Sequence, residues 1–340
     1  MEEERALEQI AQQKNCSIEQ AREFCEQVQA VQVRTSACVF IAVAVELLGP
    51  EAEVQDVAQL AHEFHRSKSP KQFAQLSGRE LVKLYGVGQR DFAGVSLRGA
   101  TLRNADLRGA NLSETYLIGA DLSDAVLTGG YLVGANLTGA CMIKSELSGV
   151  GLSGASMFQA ILIEASMNGA NLSGADLRKA DLTDASLIGT NLIGADLSGG
   201  NLFRASLREA SLHRANLREA NLRQAILHET NMHGVNLVGA DMRSADLREA
   251  NLSGADLRWA NLTGAIFVRA NLIGADLRNA TLCQTDLRGA SLHWANLGGA
   301  DLHEANLSGA NLSRAQVTDE QLAQAISLAG AILPDGTEHD

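Results

Sequence analysis

One apolar column sets the fold of this 340-residue chain, because an apolar residue recurs at every fifth position from Phe92 to Val317. The column has 46 consecutive positions without an insertion, and 38 of them are Leu. A second column lies two residues before each residue of the first column. It holds Ala at 35 of the 45 positions from Val95 to Ala315. Repetition at a short fixed period is typical of solenoids, in which each repeat buries its apolar face against its neighbours.

A period of five fits neither of the two common secondary structures. Five residues advance an α-helix by about 500°, so successive Leu side chains would not form a stripe. In a flat strand an odd period would place successive Leu side chains on opposite faces of the sheet. The chain must therefore turn once in every repeat, and the Gly, Asn, Asp and Ser residues between the Leu positions favour turns.

The unit Ala170-Asn171-Leu172-Ser173-Gly174 resembles the repeat of the pentapeptide repeat family, and the resemblance covers residues 90–317. It implies a mainly β fold, a right-handed quadrilateral β-helix in which four repeats form one square coil of 20 residues. The Leu and the preceding Ala would point inward, and outward side chains would stack over those 20 residues later. The repeats then correspond to 11–12 coils and a rod of about 55 Å at ~4.8 Å per coil.

The segments that flank the repeats predict helices. Residues 1–88 are predicted to form a small α-helical domain that caps the rod or binds a partner. A capping box occurs at Ser17–Gln20 and another at Ser77–Glu80, and Ser69-Pro70 is a typical helix start. An apolar stripe (Ile18, Ala21, Cys25, Val28) follows the first box. Further helices are expected near residues 3–13, 36–48 and 54–65, and the repeat domain is assigned to residues 89–317.

Residues 318–340 are predicted to form a C-terminal helical cap and a tail. The capping box Thr318–Gln321 begins a helix whose apolar side would be formed by four residues. These are Leu322, Ala325, Ile326 and Ala329. A turn is expected at Pro334-Asp335-Gly336, because Pro and Gly interrupt regular structure there.

Composition favours a cytoplasmic protein. The acidic start of the sequence lacks the apolar segment of a signal peptide, and the longest apolar run, residues 37–45, is too short to span a bilayer. The five Cys residues form no C-x-x-C pair, which is typical of free thiols in a reducing compartment. The net charge of −12 argues against binding to nucleic acid or to an anionic membrane.

The polar outward residues predict no enzyme, cofactor or metal site. His213 and His233 would stack in adjacent coils, with His293 three coils beyond His233, but no third metal ligand is evident. The recurring Asp-Leu-Arg units, such as Asp106/Arg108, are interpreted as surface ion pairs that contribute little stability each. The sequence contains no phosphate-binding loop or nucleophile elbow, and flat ladders offer no pocket for catalysis.

Outward apolar residues are concentrated in the first half of the repeats and predict an interaction patch, since contiguous exposed apolar surface usually marks an interface. The alternative is that the N-terminal helical domain covers them or that they are tolerated singly. The candidate residues are Tyr116, Ile118, Tyr131, Val133, Ile143, Phe158, Ile161, Ile163 and Phe203.

Two functions are compatible with these features. The first is a non-catalytic regulatory scaffold that binds an unidentified protein partner, as a monomer or weak dimer, similar to pentapeptide proteins abundant in cyanobacteria. The second is a DNA mimic that modulates DNA gyrase or another topoisomerase, as some family members do. B-DNA carries roughly 32 charges over 55 Å, whereas residues 91–340 carry a net charge of −9. The charge density therefore favours the first function.

Overall fold

A computed structural model describes residues 75–340, and its backbone follows coils of 20 residues. Parallel β-bridges join residues 20 apart, as between Asn216 and Asn236, and form four ladders. Ladder 1 runs through every twentieth residue from Asp91 to Asn311. Ladder 2 begins at Ser96, ladder 3 at Thr101 and ladder 4 at Asp106. The predicted stacking of each residue over the one 20 positions later is confirmed.

Strand content is lower than the mainly β prediction implies. Each side of a coil contributes one bridged residue, and residues 75–340 contain isolated bridges rather than longer strands. The physical reason is the turn in every repeat, because the chain changes direction before consecutive residues can form a longer strand. The coils are therefore held together by single bridges repeated along each ladder.

Backbone hydrogen bonds explain how so short a pairing unit can stack. In the repeat Asn216–Ala220, the N–H groups of the first, second and fourth residues donate to carbonyls of neighbouring coils at 2.9, 2.7 and 2.9 Å. The fifth N–H closes the turn by donating to the carbonyl of Leu217 at 3.1 Å. The third N–H donates to the side-chain Oδ1 of Asn216 at 3.3 Å. All five donors of the repeat are thus satisfied, as burial of a backbone requires.

The core consists of the two inward columns. Every second-position residue from Phe92 to Leu312 is at most 1% exposed, and the fifth-position residues are buried with them. Where a hydroxyl replaces Ala, it donates to a backbone carbonyl, as Ser145 does to Met142 at 2.8 Å and Thr190 to Met167 at 2.9 Å. These small side chains keep the coil narrow, since a larger one would overpack it.

The fourth position of the repeat has a left-handed backbone throughout the rod. All 45 fourth positions from Gly94 to Arg314 have φ between 54° and 71°, and 23 of them are not Gly. The non-Gly residues include no β-branched side chain, which is the type that this conformation disfavours most. This backbone requirement explains the frequent Gly at these turns.

We expect Gln224→Gly to raise the free energy of unfolding by up to ~1 kcal/mol, because it relieves a left-handed non-Gly residue on an exposed turn. Gly139→Val should lower it by about 1–2 kcal/mol, although a Cβ at Gly139 would meet no atom within 4 Å. The two substitutions together separate the effect of the backbone conformation from the effect of steric contacts. Urea unfolding followed by circular dichroism measures both changes, and equal stability of the two variants would contradict the explanation.

The first helix, α1 (Gly78–Gly86), closes the N-terminal end of the rod. Ser77 caps it in the predicted capping box, in which the Ser77 N–H donates to Glu80 at 2.7 Å. Leu81 and Leu84 are buried in the same core as the first coils. A Cβ on Gly78 would lie 2.0 Å from the carbonyl oxygen of Thr101, so only Gly allows this close approach.

The other helices predicted for the N-terminal segment lie outside the described residues. These are the ones near residues 3–13, 18–28, 36–48 and 54–65, together with the helix start at Ser69-Pro70. Within residues 75–340, no helix is long and apolar enough to cross a membrane.

The C-terminal helix is shorter than predicted. Helix α2 (Asp319–Leu322) begins at the predicted capping box of Thr318 and Gln321 but ends after one turn. Leu322 is buried, whereas Ile326 is 69% exposed and Ala329 is also exposed, so the predicted apolar stripe does not form. The prediction was wrong because the chain returns to the coil path after α2.

This return is visible in the bridges Asn306–Ser327 and Asn311–Ile332, which span 21 residues instead of 20. The single extra residue accommodates α2, and Leu328 and Leu333 then pack against the core. The predicted turn at Pro334-Asp335-Gly336 is present, and it folds the last residues back so that Ile332 pairs antiparallel with Glu338. This hairpin covers one side of the last coil.

Candidate interaction surface

The nine candidate residues lie on three of the four ladders. Each ladder is taken here together with the outward third positions of its repeats. Tyr131 and Val133 belong to ladder 1, and Tyr116, Ile118 and Phe158 belong to ladder 2. The other four residues belong to ladder 3. None is fully buried, and Tyr131 is the most exposed at 56%. The candidates therefore do not form one flat patch.

Four of them lie on or beside ladder 3 in adjacent coils. Ile143 and Ile163 occupy equivalent positions of adjacent coils, and Ile161 is bridged to Cys141 on ladder 3, as the sequence predicted. Phe158 lies in the same coil as Ile161, on the other side of the turn. We call Ile143, Phe158, Ile161 and Ile163 the isoleucine corner.

Polar residues surround the isoleucine corner. Arg178 lies 5.5 Å from the ring centroid of Phe158, and a Lys144–Glu164 ion pair of 3.5 Å lies at the next turn along the coil. An apolar centre with a polar rim is the usual anatomy of a protein–protein interface. The corner thus has the composition of a small docking site.

The other candidates are separate from this corner. Tyr131 and Val133 on ladder 1 and Tyr116 and Ile118 on ladder 2 lie nearer the N-terminal end. Phe203 is two coils beyond Ile163, and the guanidinium groups of two Arg residues lie 5.3 and 5.8 Å from its ring. Phe203 thus has Arg neighbours as Phe158 does, but it lies apart from the isoleucine corner.

The Asp-Leu-Arg units form the predicted surface ion pairs. Asp246 and Arg248 are typical, since the guanidinium donates to both carboxylate oxygens. The hydrogen bond from Arg108 lowers the pKa of Asp106 to about 2, and an equivalent bond lowers the pKa of Asp246. Because these pKa values are lowered on folding, the pairs stabilise the fold above the ordinary Asp pKa of about 3.9. That contribution is lost as pH falls through the lowered values.

Sequence reasoning missed one such pair and a more general role of the acidic column. Asp241 pairs with Arg243 at 2.6 Å, but Met242 between them hid the pattern. The first-position Asp and Asn side chains also accept the third N–H of their own repeat, as Asp196 does from Ser198 at 2.9 Å. Asn side chains also donate to the coil before, as Asn216 does to Asp196 at 3.0 Å. The frequent Asp and Asn at this position were the signal.

The His residues stack as predicted. The rings of His213 and His233 are 5.3 Å apart and nearly parallel, and His233 Nδ1 is 2.8 Å from Ser253 Oγ. Residues 75–340 contain no group of three His, Cys, Asp or Glu side chains that could hold a metal ion. Burial raises the pKa of the Cys283 thiol to about 11, with help from the neighbouring Asp301, so this thiol stays protonated at neutral pH.

The repeat, the coil and the inward columns together define the class of protein. The family model for pentapeptide repeats matches eight segments of the chain. They span residues 91–129, 131–169, 160–199, 185–224, 205–243, 225–264, 265–303 and 285–319. The chain belongs to the pentapeptide repeat family, whose members fold as right-handed quadrilateral β-helices.

Solved structures include relatives with the same repeat. The chain is 34% identical to HetL, a pentapeptide repeat protein involved in heterocyst differentiation regulation in the cyanobacterium Nostoc sp. strain PCC 7120. That match covers 78% of this chain and all of HetL, with a TM-score of 0.34. QnrB1, a plasmid-mediated fluoroquinolone resistance protein, is 17% identical over 51% of this chain and 86% of its own, with a TM-score of 0.28. A comparison with curated proteins found no match.

Proposed function

We propose that this protein is a non-catalytic regulatory scaffold that binds a protein partner through the isoleucine corner. The observation that carries the proposal is the placement of Ile143, Phe158, Ile161 and Ile163 on and beside ladder 3 of adjacent coils, with charged residues at their rim. Burying such a centre removes apolar surface from water without desolvating a charge. Residues 1–88 are proposed as a second, helical binding module.

The rod supports this role better than catalysis. Two of every five residues are committed to the core, and the rest lie on flat ladders rather than around a cleft. The ionic groups are engaged with each other, as in the Asp–Arg pairs. A rigid surface of this kind presents a preformed site, which reduces the entropy lost on binding.

The likeness to HetL supports a regulatory process in a cyanobacterium as the setting. The free thiols expected from the Cys pattern support a cytoplasmic location. DNA mimicry of the gyrase-directed kind has less support, because Arg side chains neutralise acidic ones along ladders 2, 3 and 4. We expect no effect of micromolar protein in a gyrase supercoiling assay.

The proposal is tested with the full chain as bait in affinity capture from an extract of the source organism. We expect Ile143→Lys/Ile163→Lys to reduce recovery of the specific partner at least about tenfold, since it places two cations in an apolar contact. Mass spectrometry of the captured proteins gives the recovery.

Ile188→Lys/Ile226→Lys is the matched control, because both residues are about 40% exposed and lie on ladder 4. The control should capture the partner as well as the parent does. A protein retained by the parent and control but lost by the corner variant identifies the partner. If the corner variant captures the same proteins in the same amounts, the isoleucine corner is not the binding site.

A further inference from the structure

From Asn111 onward, one side of the rod carries no charged side chain, although Asp91 begins the same ladder. Face 1, defined as the ladder 1 residues with the third-position residues of the same repeats, extends from Asn111 to Ser313 over 11 coils. None of its 22 outward positions is Asp, Glu, Lys or Arg. Asn and Ser predominate, and the exposed apolar side chains are Tyr131, Val133, Ile193 and Ile273, at 56, 42, 42 and 37%.

The other sides of the rod differ sharply over the same coils. Each of ladders 2, 3 and 4 carries several Asp–Arg pairs or single charges, among them Asp276–Arg278, Asp241–Arg243 and Asp286–Arg288. Depletion of charge is the compositional signature of an interface centre, because charged groups are expensive to desolvate there. Face 1 is thus the side of the rod whose burial requires the least desolvation of charged groups.

The two edges of face 1 are the fourth-position turns before and after it. On the leading edge, where the chain enters face 1, every residue is Gly except Glu209, Glu229, Glu249 and Arg269. On the trailing edge, where the chain leaves face 1, every residue is Gly except Glu114, Arg214, Trp294 and Arg314. Each edge therefore has bulky residues at only four heights along the rod.

The two edges are complementary when two rods lie side by side in parallel. A two-fold axis parallel to the rods places the leading edge of one copy against the trailing edge of the other at the same height. Glu209 then faces Arg214 of the second copy, and Trp294, which is 54% exposed, faces the turns at Gly289 and Gly309. In the antiparallel arrangement the leading edge faces itself, which brings the glutamates together.

We propose that face 1 packs against face 1 of a second copy in a parallel, two-fold symmetric dimer. The proposal is independent of the isoleucine corner, which lies around ladders 2 and 3 and stays accessible in such a dimer. Face 1 spans about 50 Å at roughly 4.8 Å per coil, and a width of about 12 Å gives about 600 Å² per copy. That area is at the lower end for stable interfaces. We therefore expect a dissociation constant that is roughly micromolar.

Sedimentation velocity of the full chain tests the dimer. The mass should rise with concentration from the 36.0 kDa of one chain toward twice that value. Ile193→Lys should raise the dissociation constant at least about tenfold, because the two-fold axis brings the two Lys side chains to the same height inside the interface. Ile188→Lys is the matched control, since Ile188 is 40% exposed, lies five residues away and is on ladder 4. It should leave the constant unchanged.

Exchanging the charges of Glu209 and Arg214 tests the parallel register separately. Arg214→Glu and Glu209→Arg should each weaken the dimer, and the double exchange should restore it, because the new Arg and Glu would again face each other. Ser253→Lys replaces Ile193→Lys if that variant melts at a lower temperature than the parent. A chain that stays monomeric at all concentrations overturns the proposal. The proposal is also overturned if Ile188→Lys raises the dissociation constant as much as Ile193→Lys does. Failure of the double exchange to restore the dimer overturns the parallel register.

Discussion

Leu217→Asp is expected to abolish the cooperative unfolding of the rod. Leu217 is fully buried at the second position of a middle repeat, and its N–H donates to Asn236 at 2.7 Å. The substitution removes about 2–3 kcal/mol of apolar burial and places a carboxylate in a core that offers it no donor. We expect the free energy of unfolding to fall by at least ~4 kcal/mol.

The effect should be larger than that of one lost side chain, because each coil of a solenoid is stabilised only by its neighbours. A defect in the middle separates the rod into two blocks that unfold independently, so the melting curve should broaden or split. Gln224→Asp is the control, since Gln224 is exposed on a left-handed turn that Asp tolerates. A single transition at the parental temperature in Leu217→Asp would show that this residue does not face the core.

The sequence alone was sufficient for the register of the rod. The Leu and Ala columns specify which side chains are inward, and a period of five admits only a chain that turns in every repeat. The stacking of His213 on His233 and the pairing of Asp106 with Arg108 followed from that register. In a one-dimensional repeat, residues that are neighbours in space are separated by a fixed number of positions in the sequence. Globular folds have no such fixed spacing.

The ends of the rod were less predictable, because the spacing changes there. A capping box at Thr318 indicated a helix, but the hydrogen bonds of the last coil compete for the same residues, and the helix ends at Leu322. The segment Ala329-Gly330-Ala331-Ile332-Leu333 follows the repeat pattern shifted by one residue. That shift is recognisable only when the extra residue accommodated by α2 is known.

The relative placement of the candidate residues could be predicted only in part for a similar reason, and their role as an interaction patch stays a prediction. Spacing placed Ile143, Ile161 and Ile163 together, but it did not show that Arg side chains lie over Phe203. The rotamers of long side chains decide which apolar residues remain open, and a repeat register does not fix them. The uncharged character of face 1, in contrast, is fully contained in the sequence once every twentieth residue is compared.

Gln321→Met is expected to open the C-terminal end of the rod. The Gln321 side chain is only 9% exposed, and its amide donates to the carbonyls of Leu297 and Ala300, both at 2.7 Å. Its Oε1 accepts the N–H of Thr318 at 3.0 Å. The Ala300 carbonyl depends on this side chain, because α2 takes the backbone away from the position where the next coil would pair with it. The Leu297 carbonyl also accepts the N–H of Ala300 at 2.9 Å.

Met has a similar volume to Gln but no amide, so the substitution leaves the Ala300 carbonyl without this partner, whereas Leu297 keeps the N–H of Ala300. An unsatisfied buried group costs about 1–3 kcal/mol, which is the expected local loss. Because coils interact only with their neighbours, hydrogen exchange should accelerate in the last coils and stay unchanged near Leu217. Gln324→Met is the control, since Gln324 is exposed three residues further on. Equal protection of the last coils in both variants would mean that Gln321 does not hold this end closed.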